Sequence, residues 1–226
     1  MTHKKAIRQH YQPRLAPDRP SHEILDWSSA EAQQLRLRTL CRNVDLVGKT
    51  LLDVGCGLGD LWALLKAGGI QVDYTGIDLL DTMVAAARAR HPHARFLVGD
   101  LFADSAPGGP IFEPASFDIV FASGVFNLNL GNNLAFLTAA IPRLLGLARE
   151  AVVITLLHQR GNDGDTRYYF YHPATVLPLL RDRGWDVDLL DDYLPHDFTL
   201  IARRPAAARR SSCATCTNPA CDQRST

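Results

Sequence analysis

The sequence has no excess of charge of either sign, since its 226 residues include 24 Lys and Arg and 24 Asp and Glu. A balanced charge favours neither a nucleic-acid nor a membrane partner. Long apolar runs are also missing, because none reaches the roughly 20 residues that cross a bilayer. The first twenty residues are basic but lack the apolar core and cleavage site of a secretory signal, so we expect a cytoplasmic protein.

Cysteine is scarce and unevenly placed. Cys41 and Cys56 fall in the apolar part of the chain, whereas Cys213, Cys216 and Cys221 lie in the last fourteen residues. This distribution excludes a disulfide framework, and the three clustered thiols lack a fourth ligand for zinc. We therefore predict no metal and interpret residues 205–226 as a disordered, oxidisable tail.

Short apolar runs alternate with segments of helical period from residue 50 onward. Such alternation predicts parallel strands joined by right-handed helical crossovers, and two final runs close in sequence predict an antiparallel hairpin. We expect an α/β, Rossmann-like, doubly wound sheet of seven strands that ends in this hairpin. The predicted strands are 50–54, 72–78, 94–100, 117–123, 151–157, 185–193 and 198–204, and the predicted helices are 60–68, 80–90, 132–149 and 172–184.

Residues 1–46 are interpreted as an arm and lid helix that precede the main domain, 47–204. The first 25 residues mix Pro, His and charged residues without helical period. Ser28 and Glu31 then form a capping-box pattern, which predicts a helix from this point to about Cys41. Trp27, directly before the cap, is expected either to staple the helix or to cover a ligand.

The stretch "LLDVGCGLGDL" carries three glycines, Gly55, Gly57 and Gly59, directly after the first predicted strand. A strand, a glycine-rich turn and a helix together form the phosphate site of dinucleotide folds. Here the glycine spacing differs from G-x-G-x-x-G, and Asp53 and Asp60 would repel a pyrophosphate. The turn therefore favours a ligand with a cationic end over a nicotinamide dinucleotide.

Two further acids end the next two predicted strands. Asp78 ends the second strand, where a carboxylate can accept both hydroxyls of a ribose. Asp100 ends the third strand in "FLVGD", where it can accept from the amine of adenine. Either acid alone is also typical of a helix cap. Acids at matched strand ends favour an adenosine site.

These segments resemble the class I S-adenosylmethionine-dependent methyltransferases. "LLDVGCGLGDL", "YTGIDLLDTM", "FLVGDLF" and "FDIVFASGVFN" are similar to the family's first four motifs, in order, and the resemblance covers residues 50–203. It implies S-adenosylmethionine as cofactor, with bare glycine main chain against its methionyl part, Asp78 at the ribose, Leu79 beside the adenine and Asp100 at its amine. The predicted cofactor-binding residues are Asp53, Gly55, Gly57, Asp78, Leu79, Asp100, Leu101 and Ser123.

Asn127 follows the fourth predicted strand, at the edge where open parallel sheets bind ligands. Its amide can orient an amine or a carboxylate, or it can cap the next helix. In the extended segment "RYYFYHP", Tyr169 and Tyr171 share one face while Tyr168 and Phe170 share the other, and either face can hold a cation. We predict Asn127, Tyr169 and Tyr171 as catalytic residues, and Tyr11, Trp27, Tyr168 and His196 as substrate or lid residues.

The acceptor class follows from patterns that the sequence lacks. The fourth strand does not end in an "NPPY"-like pattern, which is typical of methyltransferases acting on adenine or glutamine, and there is no basic, aromatic platform for RNA. We therefore expect a small-molecule methyltransferase. Two alternatives stay open. "SGVFN" with the aromatic segment resembles azetidine-2-carboxylate synthases, which would cyclise the cofactor and release methylthioadenosine, and the chain could instead be a non-catalytic regulatory subunit that binds the cofactor.

Overall fold

Seven strands form one sheet with helices on both faces in the computed structural model, which describes residues 3–103 and 110–205. The predicted tail lies outside these residues, apart from Pro205. The strands are β1 Thr50–Val54, β2 Asp73–Asp78, β3 Arg95–Val98, β4 Phe117–Ser123, β5 Ala148–Leu157, β6 Asp186–Leu190 and β7 Asp197–Arg203. The helices are α1 His3–Tyr11, α2 Ser21–Ile24, α3 Ala30–Asn43, α4 Asp60–Ala67, α5 Asp81–Arg90, α6 Asn133–Leu147 and α7 Pro173–Arg181, with 3-10 turns at Gln12–Arg14 and Gln159–Gly161.

The strand order is β3-β2-β1-β4-β5-β7-β6. The first five strands are parallel, and β7 pairs antiparallel with both β5 and β6. The predicted doubly wound sheet with a closing hairpin is therefore confirmed. Strand order reverses between β1 and β4, where Val54 pairs with Ala122. This register sets the loops after the two strands side by side, at the position where ligands bind in such sheets.

The central strands are buried on both faces, which explains their continuous apolar sequences. Alternate residues of β1 enter different cores, since Leu51 packs with α3, α4 and α5 residues while Leu52 packs with α6 and α7 residues. Ile119 and Val120 in β4 divide in the same way. Two-sided burial fixes the strand register, because a slip by one residue would exchange the two cores.

Helix α3 begins one residue later than the capping-box pattern predicts. The Oγ of Ser29, not of Ser28, accepts a hydrogen bond from Ala32 N at 3.1 Å. Ser29 is fully extended, with φ −163° and ψ 167°, as an N-cap requires. The predicted cap at Ser28 was wrong, because two adjacent serines give the same local signal and packing of α3 chooses between them.

The N-terminal arm, which was predicted to lack helical period, instead forms the short helices α1 and α2 and lies against the carboxyl edge of the sheet. That prediction was wrong, because the prolines between the two helices hide their short periods. Ile24 is fully buried with Leu58, Leu80 and Met83, and arm residues such as Ile7 pack around them. Burying one such side chain contributes about 1.5 to 3 kcal/mol. Helix α1 itself contains no buried residue. The arm therefore holds its position through a few anchors. Within the described residues, no helix combines the length and apolarity needed to span a membrane.

Candidate active site

Two cavities lie side by side beyond the carboxyl ends of β1, β2 and β4. The first, of about 200 Å³, is lined by strand ends and by the arm. The second, of about 310 Å³, is lined by the segment after β5, by residues 25–28 and by Arg36 of α3. The two cavities share four lining residues, which are Tyr11, Leu25, Trp27 and Gly124.

The glycine-rich turn brings bare main chain to the first cavity. Gly55 and Gly57 have φ of +71° and +53°, conformations that side chains strongly disfavour. A Cβ at Gly55 would lie 2.6 Å from Val125 Cγ2, and one at Gly57 would lie 2.8 Å from Leu25 Cδ2. Both glycines line the first cavity. A larger residue at either position would therefore clash with Val125 or Leu25, which also line this cavity.

Asp78 ties the end of β2 to the same turn. Its Oδ2 accepts from Gly57 N at 3.0 Å, and its Oδ1 accepts from Leu80 N at 2.9 Å. Burial raises the pKa of this carboxyl, while the backbone donors act in the opposite direction. Each oxygen keeps a further lone pair that can accept from a ligand hydroxyl. Asp78 lines the first cavity, so these lone pairs can reach a ligand there.

Other predicted cofactor residues complete the first cavity. The Oδ1 of Asp100 accepts from Phe102 N at 3.0 Å, so Oδ2 has no partner among the described residues. The hydroxyl of Ser123 is buried without a hydrogen bond in this part of the chain. Leu79 and Leu101 add apolar walls. An unpaired hydroxyl, two carboxylates and apolar walls are a donor and acceptor set that fits an adenosyl sulfonium.

Asp53 lies outside the lining of the first cavity, which differs from its expected contact with the cofactor. The side chain is buried on the other side of β1 from Leu52 and Val54, and its Oδ2 accepts from Tyr74 Oη at 2.7 Å. Burial raises the pKa of Asp53 to about 7, although the Tyr74 hydrogen bond lowers it. Asp53 supports the strand beneath the turn.

The aromatic side chains after β5 alternate between two faces as predicted, but the pair expected to be catalytic lies on the face that is turned away from the cavity. Tyr168 and Phe170 line the second cavity, whereas Tyr171 is 2% exposed and its hydroxyl donates to Phe126 O at 2.9 Å. Tyr169 packs edge-on to Tyr171 with ring centroids 4.7 Å apart. Isolated β-bridges fix the register of this segment. In that register Tyr169 and Tyr171, the two tyrosines expected to be catalytic, pack against the core.

Asn127 lines the second cavity and presents a defined side of its amide. Its Oδ1 accepts from Leu157 N at 3.2 Å, and its main-chain oxygen accepts from Tyr169 N at 2.8 Å. The Nδ2 donors therefore remain available, with no partner among the described residues. Asn127 does not cap the next helix, since Asn133 Oδ1 accepts from Leu130 N at its start. Asn127 is 5% exposed, and its Nδ2 can donate to a ligand while Oδ1 keeps one further lone pair.

Asp26 joins the arm to the second cavity, and sequence reasoning missed it. Its carboxylate accepts from His10 Nε2 at 2.8 Å, from Arg14 Nη2 at 3.0 Å and from the Tyr168 hydroxyl. Burial raises the pKa of Asp26, but the Tyr168 hydrogen bond and the charges of Arg14 and His10 outweigh burial and lower the pKa. Asp26 has φ +59°. The only sequence signal is an acid directly before Trp27, downstream of several basic residues.

A buried ion pair lies on the wall of the second cavity and was also missed. Arg36 Nε is 2.5 Å from Asp197 Oδ2, and the two side chains are 2% and 0% exposed. The guanidinium stacks on Trp27, with Cζ 4.4 Å from the ring centroid. Arg36 Nη1, Trp27 Nε1 and His196 Nε2 are buried without hydrogen bonds in the described part of the chain, and Arg36 Nε and both Asp197 oxygens also lack a hydrogen bond of good geometry. Arg36, Trp27 and His196 line the second cavity.

Comparisons with known proteins agree with this geometry. A family model described as a methyltransferase domain matches residues 51–146. The Mycobacterium tuberculosis protein Rv1506c, which carries a methyltransferase name, is 31% identical over 67% of this chain and 91% of its own length. The demethylmenaquinone methyltransferase of Chlorobaculum tepidum is 33% identical over 65% of this chain and 56% of that protein.

Solved structures share the fold. The magnesium protoporphyrin IX methyltransferase of Synechocystis PCC 6803, crystallised with bound S-adenosylhomocysteine, has a TM-score of 0.62 at 17% identity and covers 89% of this chain and 99% of that chain. The chain therefore belongs to the S-adenosylmethionine-dependent methyltransferases. The predicted family, cofactor and enzyme class are confirmed.

Proposed function

We propose that this enzyme transfers the cofactor's methyl group to a small molecule held in the second cavity. The bound cofactor supplies an electrophilic methyl group on a sulfonium. The observation that carries the proposal is the wall shared by the two cavities, since Trp27, Tyr11 and Gly124 contact both spaces. A cofactor in the first cavity and an acceptor in the second would meet at this wall.

The first cavity supplies the binding groups for the cofactor. In this proposal Asp78 accepts from the ribose hydroxyls, Asp100 accepts from the adenine amine, and the Gly55 and Gly57 main chain contacts the methionyl part. Ser123 offers a buried hydroxyl that lacks a partner among the described residues. Because these groups come from strand ends and a tight turn, they are held in position before the ligand binds.

The chain's contribution to the rate is positioning and exclusion of water. Methyl transfer from a sulfonium releases a neutral leaving group, so it needs little acid–base assistance. The arm covers the first cavity through His3, Ile7 and Tyr11. Ring stacking at Trp27 and the hydrogen bonds to Asp26 hold the arm against the second cavity. A closed site of this kind favours in-line attack and limits hydrolysis.

A small acceptor is supported by two observations. The second cavity has a volume of about 310 Å³, which lies in the range of small-molecule pockets. The relative from Chlorobaculum tepidum is named for a small-molecule acceptor, demethylmenaquinone. From this relative we carry over to the present chain only the class of acceptor, a small molecule.

The position of Asn127 argues against cyclisation of the cofactor. An attacking amine would need a hydrogen-bond acceptor to direct its lone pair towards the γ-carbon. Asn127 lines the second cavity and is absent from the lining of the first, where the cofactor's own amine would lie. Tyr169 and Tyr171, which would have held the amine, pack against the core. We therefore favour methyl transfer.

The test measures the adenosine product and cofactor binding together. The full chain is incubated with S-adenosylmethionine, with and without a panel of small acceptors, and products are separated by chromatography. Methyl transfer yields S-adenosylhomocysteine only when an acceptor is present. Methylthioadenosine without acceptor would overturn the proposal in favour of cyclisation.

A variant pair on one strand provides the matched control. Asp78→Asn should weaken S-adenosylhomocysteine binding about tenfold or more in calorimetry, because it removes a charged acceptor. Asp73→Asn, at the exposed opposite end of β2, should leave affinity unchanged. Equal affinities for the two variants would argue against a cofactor in the first cavity.

A further inference from the structure

The buried wall of the second cavity consists of hydrogen-bond donors that lack partners. Arg36 Nη1 and Trp27 Nε1 have none among the described residues, and Asn127 presents Nδ2 because its oxygen is occupied by Leu157 N. The side chains of Arg36 and Asn127 are 2% and 5% exposed. A buried donor without a partner is costly, so native structures retain such groups where a ligand or water satisfies them.

Arg36 limits the missing partner to a hydrogen-bond acceptor. Its Nε side pairs with Asp197, which balances the charge of the guanidinium. Nη1, on the other side of the planar fork, has no hydrogen-bond partner among the described residues and can bind a further oxygen. A guanidinium carries donors and no acceptor. Together with Asn127 Nδ2, this wall matches a group with two acceptor oxygens in a plane.

The acids around the second cavity are already engaged or exposed. Asp26 accepts from His10, Arg14 and Tyr168. Asp165 accepts from the guanidinium of Arg167, with Nη2 to Oδ2 at 2.6 Å. Asp163 is exposed at the rim. Asp197 is outside the lining of the cavity and is paired with Arg36. No unpaired carboxylate on the buried wall, within the described residues, therefore faces the cavity to pair with an ammonium group.

We propose that the acceptor carries a carboxylate, which binds Arg36 Nη1 and Asn127 Nδ2 in the second cavity. This inference rests on the proposed function, because it assigns the second cavity to the acceptor. Arg36 and Asn127 then orient the acceptor so that its nucleophilic atom faces the shared wall at Trp27. They are positioning residues, and neither takes part in bond making.

The experiment compares carboxylates with neutral molecules of the same shape. The full chain, saturated with S-adenosylhomocysteine, is titrated in a calorimeter with benzoate and benzamide, and with succinate and succinamide. Each carboxylate should bind about tenfold or more tightly than its amide, as expected for charge-assisted hydrogen bonds. Equal affinities within both pairs, absence of binding by either carboxylate, or preferential binding of inorganic phosphate would overturn the inference.

Two variants assign the preference to the named residues. Asn127→Asp keeps an oxygen for Leu157 N but replaces the donor by a negative charge, so it should abolish the carboxylate preference. Arg36→Lys keeps a cation for Asp197 and loses the fork, so it should reduce the preference about tenfold. Thermal unfolding verifies that both variants fold. A preference that survives in both folded variants would contradict the assignment.

The outcomes separate this inference from the proposed function. Suppose that the variants still bind S-adenosylhomocysteine and methylate a neutral acceptor, but that carboxylates bind no more tightly than their amides. The proposed function then stands and the carboxylate inference fails. If the wild-type chain binds no S-adenosylhomocysteine, the proposed function itself fails. For a carboxylate acceptor, the variants should raise KM by more than they lower kcat, because a positioning group acts mainly through binding.

Discussion

The two cavities are built from different material. The first has strand ends and the glycine main chain on one side, so the shape of that side depends on the sheet, and the arm and apolar side chains such as Phe102 complete it. The second is formed by long side chains from segments far apart in sequence, including Trp27, Arg36, Tyr168 and His196. A wall of backbone is rigid and suits a constant ligand. A wall of side chains can change by substitution without affecting the sheet, which suits a variable acceptor.

The largest expected effect tests the backbone character of the first cavity. Gly55→Ala should weaken S-adenosylhomocysteine binding or folding by about 2 to 5 kcal/mol in total, because it combines left-handed strain with a Cβ 2.6 Å from Val125 Cγ2. Gly69→Ala is the matched control, since Gly69 has φ +67° and nothing within 4 Å. Calorimetry and thermal unfolding of both variants measure the difference. Similar losses in the two would show that strain alone is responsible.

The second prediction concerns Asp53, the buried acid in β1 directly before the glycine-rich turn. Burial raises the pKa of Asp53 to about 7, above its ordinary value of 3.8, so the folded state favours the protonated carboxyl. The stabilisation from this protonation is complete below about pH 4 and is lost as pH rises to about 7. Asp53→Asn mimics the protonated form and should therefore be more stable than wild type above pH 7, by up to about 4 kcal/mol.

The measurement is the free energy of unfolding of both proteins from pH 4 to pH 9, with urea as denaturant. The difference should grow between about pH 4 and pH 7 and stay constant above. Asp73→Asn, on the neighbouring strand but exposed, should show no such change. A constant difference across the whole range would mean that Asp53 is ionised in the folded protein.

The third prediction concerns how side chains attach the arm to the second cavity. Tyr168→Phe removes a donor from Asp26 and should destabilise the docked arm by about 1 kcal/mol, which corresponds to about fivefold faster hydrogen exchange in residues 3–27. Tyr169→Phe is the control, because the Tyr169 hydroxyl makes no hydrogen bond within the described residues. Unchanged exchange in Tyr168→Phe would exclude Asp26 as the attachment point.

The smallest effect distinguishes two adjacent serines. Ser29→Ala should lower the free energy of unfolding by about 1 kcal/mol through loss of the α3 cap, whereas Ser28→Ala should change it by less than about 0.5 kcal/mol. Chemical denaturation of the two variants checks this order. The reverse order would place the cap at Ser28 and would shift the start of the helix that carries Arg36.

Strands and strand-end acids were predictable from sequence for a physical reason. The strands β1 and β4 were predicted at their observed bounds, because continuous apolar runs between turns have few alternatives. Asp78 and Asp100 then follow, since parallel strands end at one edge of the sheet. The faces of the 167–172 segment were not predictable, because alternation pairs Tyr168 with Phe170 but does not say which pair meets the core.

The second cavity could not be predicted because it depends on contacts that sequence patterns do not encode. Arg36 lies in α3 as a charged residue, which patterning assigns to solvent, yet it is buried by pairing with Asp197, 161 positions later. Helix α1 has no buried face of its own and takes its place from contacts at Asp26 and Asp81. Such positions are determined by tertiary partners rather than by local propensity.

Trp27 occupies the boundary between the two cavities, and Tyr11 and Leu25 from the same arm lie beside it. A single displacement of residues 3–27 would therefore open both spaces at once. Under the proposed function, loading of the methyl donor and admission of the molecule to be modified would share one gate. A ligand that stabilises the closed arm raises the affinity for the other ligand. Thermodynamic linkage then requires the second ligand to raise the affinity for the first by the same factor.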